Sequence, residues 1–497
     1  MPTRIDDLFF MKPIDETQIR GRELHRRWLI LVYATVLSVS LTSTACRKTE
    51  FRQKPAISTK TIWKTSVPET CLSSPMVSDL NGDGVVDILV GHGLEGQRGG
   101  LTAVDGKTGE HLWTTKTHDE VYSTTPLVDL TGDGVIDPLV GGRKYHNDII
   151  ALDGTNGNTI WSMKEINKET KFPKTNCNSP VRIDDRDKDG VDELLVVQSG
   201  GQDKTRPPAL IHLVSGKTGK ILWTKSLPDK LESYSVPSVV KKGGRIDSVI
   251  VTSGGETLPG HVFRLDFPSL EERWRFRPAL KGVIGSPIVH RFEGMQRDDV
   301  IVSSFNGKTY RLHGETGAML WEEGGEGYET YVSPALGRFN EDAGADVVAI
   351  VSYGTWPVYT TESLIKWIDG KTGKVIHEEK VGIFTASSPL VAELTGDDFD
   401  EVIVLSNPIK EQRYDTSMSN LVIFDGRTKE RLVEHSYYGL VAGTPHLSDI
   451  DKDGVLDLIH TRWGVVQRTE ISTSANPKLI WNQLRGPNGD GVLVEAE

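Results

Sequence analysis

The feature that most restricts the fold is a proline that returns roughly every fifty residues through most of the chain, the period of a supersecondary repeat. Pro75, Pro126, Pro180, Pro237, Pro287, Pro334, Pro389 and Pro445 are separated by 51, 54, 57, 50, 47, 55 and 56 residues. A small residue usually precedes the proline and an apolar strand follows it. An acidic turn comes next, then a β-rich run such as 87–91 (DILVG). A hairpin completes the unit. In the first unit it reads AVDGKTGEHLW at 103–113, with variants at 151–161, 212–223, 264–274, 311–321, 366–377 and 423–433. Asp-Gly and Thr-Gly suit tight hairpins because glycine takes positive φ without steric cost. Alternation and turn density exclude helical repeats. Four strands per unit at this period specify blades. Eight units therefore predict an all-β chain, an eight-bladed β-propeller of four-stranded antiparallel blades.

Trp63 and Trp481 both lie in strands able to serve as the outer strand of the last blade. The expectation is that 57–66 closes the ring with the C-terminus, which hides sheet edges that would otherwise pair with other chains. The propeller then spans 57–484, and 485–497 (RGPNGDGVLVEAE) is a tail.

The tryptophan-ended hairpins resemble those of quinoprotein-like (PQQ-like) eight-bladed propellers. The resemblance gives Trp113, Trp161, Trp223, Trp274 and Trp321 the role of packing one blade on the next, with His377 and Val433 replacing the tryptophan in units six and seven. The acidic turns resemble FG-GAP/VCBS repeats, the loops of integrin-type propellers.

Those turns have the spacing of calcium ligands. Unit one offers Asp79, Asn81, Asp83 and Asp87; unit two Asp129, Thr131, Asp133 and Asp137. Unit three offers Asp185, Asp187, Asp189 and Glu193; unit eight Asp449, Asp451, Asp453 and Asp457. Oxygens at positions 1, 3, 5 and 9 around a tight glycine suit a hard cation with six or seven oxygen ligands. These are not EF-hands: position 12 of the first loop is Val90, and the sites lie between strands. Unit seven is a degenerate fifth candidate, with Glu393, Thr395, Asp397 and Glu401 and with Asp398 in place of glycine. Units four to six read as having lost the pattern. Four sites and a possible fifth would stiffen one contiguous arc of the ring.

The charge agrees with this. The 57 Lys+Arg against 69 Asp+Glu give a net charge of -12, which argues against nucleic-acid binding. Carboxylates crowded into one turn repel unless a cation sits among them, so the acidity reads as a cation-binding feature. Three cysteines without a C-x-x-C exclude a disulfide framework, thiol redox and c-type haem. Cys71 and Cys177 are separated by one blade and are expected to remain unpaired.

Residues 1–46 read as a leader. Arg20, Arg22, Arg26 and Arg27 precede the apolar run 28–45, and Ser43-Thr44-Ala45-Cys46 resembles a bacterial lipobox, which implies lipidation of Cys46. An uncleaved anchor helix and ordinary cleavage are the alternatives, and Met11 is a second candidate start. All three export the remainder beyond a 47–56 linker, and the expectation is a membrane-anchored protein of the bacterial periplasm or cell surface.

The loops on the face opposite the acidic turns carry Arg143, Lys144, Tyr145, His146, Tyr353, Trp356, Tyr359, Arg413, Tyr414 and Trp463. Aromatics beside basic groups suit a glycan, an anionic polymer or a protein partner. Three functions are consistent with this. The first is a non-enzymatic envelope scaffold, since exported propeller lipoproteins are similar and no nucleophile–base motif or catalytic metal triad stands out. The second is a polysaccharide-active enzyme: rhamnogalacturonan lyases are similar, and a lyase needs a base and charge neutralisation, for which 143–146 is the one local cluster. The third is a quinone-cofactor dehydrogenase. That family carries adjacent cysteines that this chain lacks, so no PQQ is expected.

Overall fold

Each of the first seven repeat units folds into one antiparallel sheet, laid down from the inside of the ring outward. The computed structural model describes residues 56–493 except 123–126, 144–147, 171–174, 202–206, 343, 356–359 and 410–416. Blade one consists of Met76–Ser78, Asp87–Leu94, Arg98–Val104 and His111–Thr117, in that spatial order. Seven further sheets repeat the pattern, giving an eight-bladed all-β propeller. One four-residue helix, Met163–Ile166, follows the outer strand of blade two. Among the described residues no helix is long and apolar enough to cross a membrane.

The N-terminal strand Ser58–Ser66 is the outer strand of blade eight, antiparallel to Val465–Ser472. Trp63 therefore belongs to blade eight and reaches blade one, where its Nε1–H donates to Gly106 O at 2.8 Å. Trp113, Trp161, Trp274 and Trp321 make the same bond to Gly154, Gly216, Gly314 and Gly370 O, at 2.7 to 3.1 Å. The second hairpin glycine of the receiving blade lies flat on each indole. A Cβ on Gly109, Gly157, Gly219, Gly317 or Gly373 would lie 2.5 to 2.8 Å from that ring or its Cβ neighbour. Trp223 departs from the set. Blade four has a Phe267-Pro268 turn in place of the glycine hairpin, and Trp223 meets the Phe267 ring at 6.4 Å instead.

The small residue before each proline also has a physical reason. Its hydroxyl accepts the N–H of the equivalent residue one blade earlier. Val236 N–H donates to Ser286 Oγ, Ser286 to Ser333, Ser333 to Ser388, Ser388 to Thr444 and Thr444 to Ser74, at 2.8 to 3.3 Å. Five junctions are stitched this way around the inner rim.

The segment expected to end in a free tail instead enters the ring. Lys478–Trp481 pairs antiparallel with the inner strand Leu390–Glu393 of blade seven. Asn482 then exchanges bonds with Leu447 of blade eight. Arg485 donates to Pro237 O of blade four, and Val492–Leu493 pairs in parallel with Ile288–His290 of blade five. Blades eight and four are opposite in an eight-membered ring, so the C-terminal segment crosses the axis. Trp481, 1% exposed, packs in the core that joins blades five, six and seven. Cys71 and Cys177 are buried and free.

Candidate metal loops and ligand face

The acidic loops and the glycine hairpins share one face, because each loop is tied to the hairpin of its own blade. In blade one, Leu80 N–H donates to Asp87 Oδ2 at 2.8 Å and Gly106 N–H to Oδ1 at 2.9 Å. Asp137 repeats this in blade two with Leu130 and Gly154, at 2.7 and 2.8 Å. Glu193 accepts from Arg186 and Asp187 in blade three. The ninth-position acid is thus a buried anchor whose oxygens already hold main-chain N–H groups. Burial raises Asp87 above the usual carboxylate range, while those donors pull it back.

The open side of each loop is built from positions one, three and five. Asp79 accepts from Gly82 and Gly84 N–H, at 2.8 and 3.1 Å, which curls the loop around its carboxylate. Asn81 Oδ1 accepts from Asp83 N–H and Asp83 Oδ1 from Val85 N–H, both at 2.9 Å. The curl needs positive φ, +74° at Gly82 and +86° at Gly84. Asp129 and Asp185 are held in the same way by the N–H groups three and five residues on. Asn81 and Asp83 are solvent-exposed, as are Thr131 and Asp133. In loop three, one oxygen each of Asp185, Asp187 and Glu193 lie within 4.8 Å of one another, and Asp449, Asp451 and Asp453 do so in loop eight. This donor set, all oxygen and curled around one point, fits a calcium-sized hard cation.

Two loops already contain a basic side chain. In loop eight, Arg468 lies against Asp457 at 2.7 Å and against Asp451. In loop seven, Arg427 from the adjacent hairpin reaches Asp397 at 3.3 Å, and burial pushes Glu401 up to about 8. Asp398 there takes the left-handed conformation expected of glycine, at φ +67°.

Blade six keeps more of the pattern than its sequence suggests. Asn340, Asp342 and Asp346 occupy positions three, five and nine, and Arg338 occupies position one. Phe339 and Gly370 N–H donate to Asp346, Asp342 N–H to Asn340, and Gly344 N–H to Asp342. Asn340 Nδ2 reaches Asp369 as Asn81 Nδ2 reaches Asp105. The loop-one framework is therefore intact with its first acid replaced by a cation. The 2- and 4-residue spacings of Asn340, Asp342 and Asp346 were the available signal, obscured by the arginine.

On the opposite face the sequence candidates separate. Arg143 is enclosed, pairing with Glu120 at 2.6 Å and Glu95 at 3.4 Å and standing over the Tyr122 ring at 4.9 Å. Burial raises the Glu120 carboxyl and Arg143 pulls it back, so the pair is a structural one that joins blades one and two. Trp463 is half-buried, its main-chain N–H on Leu440 O at 3.1 Å. Tyr353 is 45% exposed and meets Tyr328 edge-on at 5.2 Å. Lys144, Tyr145, His146, Trp356, Tyr359, Arg413, Tyr414 and the lipidation candidate Cys46 lie outside the described residues.

A family model for the FAM234A/B beta-propeller matches residues 101–245. No curated protein matches the chain. Solved structures show the fold more widely. The biofilm matrix protein Bap1 of V. cholerae is 13% identical at a TM-score of 0.57, covering 88% of this chain and 96% of its own. BamB from Moraxella catarrhalis is 14% identical at 0.50, covering 83% and 97%. The quinohemoprotein alcohol dehydrogenase of Comamonas testosteroni is 13% identical at 0.56, covering 83% and 76%. At these identities the likeness is one of fold.

Proposed function

We propose that the protein is an exported, membrane-anchored calcium-binding propeller that acts as a non-enzymatic binding scaffold at the cell envelope, with an envelope protein or glycan as its partner. The observation that carries the metal half is the framework repeated in loops one, two and three. The same main-chain N–H groups curl the first acid of each loop, and the third and fifth side chains are exposed, apart from the half-buried Asp189. In that role the cation would supply fixed positive charge to each loop. Asp79, Asn81 and Asp83, and their counterparts 129, 131 and 133, 185, 187 and 189, and 449, 451 and 453, would hold it.

Similarity in fold to a biofilm matrix protein supports an envelope scaffold. The lyase reading loses Arg143, whose guanidinium is committed to Glu120 and Glu95. A quinone is not part of this reading, because the chain's own residues cross the ring axis.

The test is thermal unfolding of wild type and of the double variant Asp83→Ala, Asp133→Ala, in chelator and in calcium. A ligand at a hundred times its Kd stabilises by about 2.7 kcal/mol per site. Calcium should raise the wild-type Tm, and the variant should fall short of it in calcium only. An equal deficit in chelator would refute the metal role.

A further inference from the structure

The junction between blades six and seven breaks the docking rule on both sides at once. His377 stands where the tryptophan should be, and Lys429 stands where the hairpin glycine should be. Lys429 keeps the glycine backbone, at φ +65°, although its side chain pays for that conformation in strain. It also takes over the missing indole bond. Its buried ammonium donates to Gly426 O, the counterpart of the carbonyls that accept from tryptophan elsewhere, and to Phe339 O at 2.7 Å and Arg427 O at 3.3 Å. The hydrogen bond is compensated but the indole volume is not. A solvent-open cleft of about 350 Å³ remains, lined by Ile376, His377, Arg427, Thr428, Lys429 and Glu341 among others. A sequence that departs from its own repeat at paired positions while retaining an open cleft is where function is to be sought.

We propose that this cleft binds a carboxylate-bearing ligand of saccharide size. Three of its lining groups are basic in type and one is acidic. The Arg427 guanidinium stands over Phe399 at 4.0 Å with Nε and Nη2 held on Asp397 at 3.3 Å, which leaves Nη1 as the end that a ligand carboxylate can meet. Nη1 pairs with Glu341 at 3.1 Å, and Glu341 is 79% exposed, so this second ion pair is weak and a ligand carboxylate can displace it while Asp397 keeps the guanidinium in place. His377 meets the Trp367 ring at a tilt, 5.4 Å between centroids, and is 41% exposed, and Ile376 beside it offers an apolar wall to the C–H face of a sugar ring. The inference rests on the glycan half of the function proposed above and not on the calcium half.

The experiment is calorimetric titration of the full chain with D-galacturonate, with D-galactose and inorganic phosphate as comparison ligands, at fixed calcium. Wild type should bind galacturonate saturably and galactose much more weakly. Arg427→Gln should weaken galacturonate at least about tenfold, the loss of one charge-assisted pair. His377→Trp with Lys429→Gly should fill the cleft and abolish binding while Tm holds or rises. Arg427 lies at the surface, so its variant decides the matter should the double variant fold poorly. No saturable galacturonate binding, or binding unchanged in Arg427→Gln, would overturn the proposal. Equal affinity for phosphate would overturn the saccharide assignment. A calcium-induced rise in Tm that survives in every variant separates failure here from failure of the metal reading.

Discussion

Gly219 offers the sharpest test of how the blades are held together. Its backbone is left-handed at φ +69°, and a Cβ would stand 2.6 Å from Trp161 Cε3 and 2.8 Å from Cδ2. Gly219→Ala therefore carries two costs. The left-handed backbone costs an L-residue about 1–2 kcal/mol. Forcing a 5%-exposed indole from its seat adds about 1–3 kcal/mol of overpacking. Gly244 isolates the first term, since it has φ +76° and no atom within 4 Å of its would-be Cβ. Urea unfolding in calcium should place Gly244→Ala about 1–2 kcal/mol below wild type and Gly219→Ala about 2–5 below, with equal m-values. In a Trp161→Leu background the penalty at Gly219 should shrink to that at Gly244. Equal costs at Gly219 and Gly244 in the wild-type background would refute the claim that indole-on-glycine contact holds adjacent blades.

Three further outcomes follow from the same geometry. Arg338→Asp completes the first position of the blade-six loop, so calcium titration should find one ion more per chain than in wild type; an unchanged count would show that the conserved framework is insufficient. His460 is buried with no hydrogen-bond partner on either ring nitrogen among the described residues, and burial together with Arg462 pulls it to about 3. A depressed histidine gives stability that is full above its unfolded pKa near 6.5 and declines as pH falls toward the folded value, about 2 kcal/mol at pH 5. His460→Leu should flatten that acid limb, and an unaltered limb would show that the ring is not held neutral. Truncation after Asn476 removes the axial segment and its 1%-exposed Trp481, so chemical unfolding should lose at least about 3 kcal/mol, and an unchanged midpoint would mean that the segment only lies in the channel.

The acidic loops were legible because their oxygen-bearing side chains sit two and four residues apart, a relation contained within one turn. Loop six was missed for a local reason, Arg338 in place of aspartate, although Asn340, Asp342 and Asp346 kept the spacing. The ligand face was much less legible. Arg143 looks identical in sequence whether it waits for a ligand or is enclosed by Glu120 and Glu95, because those partners lie 23 and 48 residues away. His377 read as a lost tryptophan; only its contact with the next blade shows that Lys429 restores the bond and leaves the cleft.

Sequence alone determined the number of blades, their four-strand antiparallel order and the face that carries the acidic loops. Each of these follows from local periodicity and from turns that only glycine or a short polar residue can make. The tertiary structure decided what each repeated position meets one blade away. It assigned Trp63 to close the ring, gave the Ser and Thr hydroxyls their stitching role, and turned an expected tail into a segment that crosses the axis. Those outcomes depend on pairing between residues dozens to hundreds of positions apart, which the repeat pattern permits but does not specify.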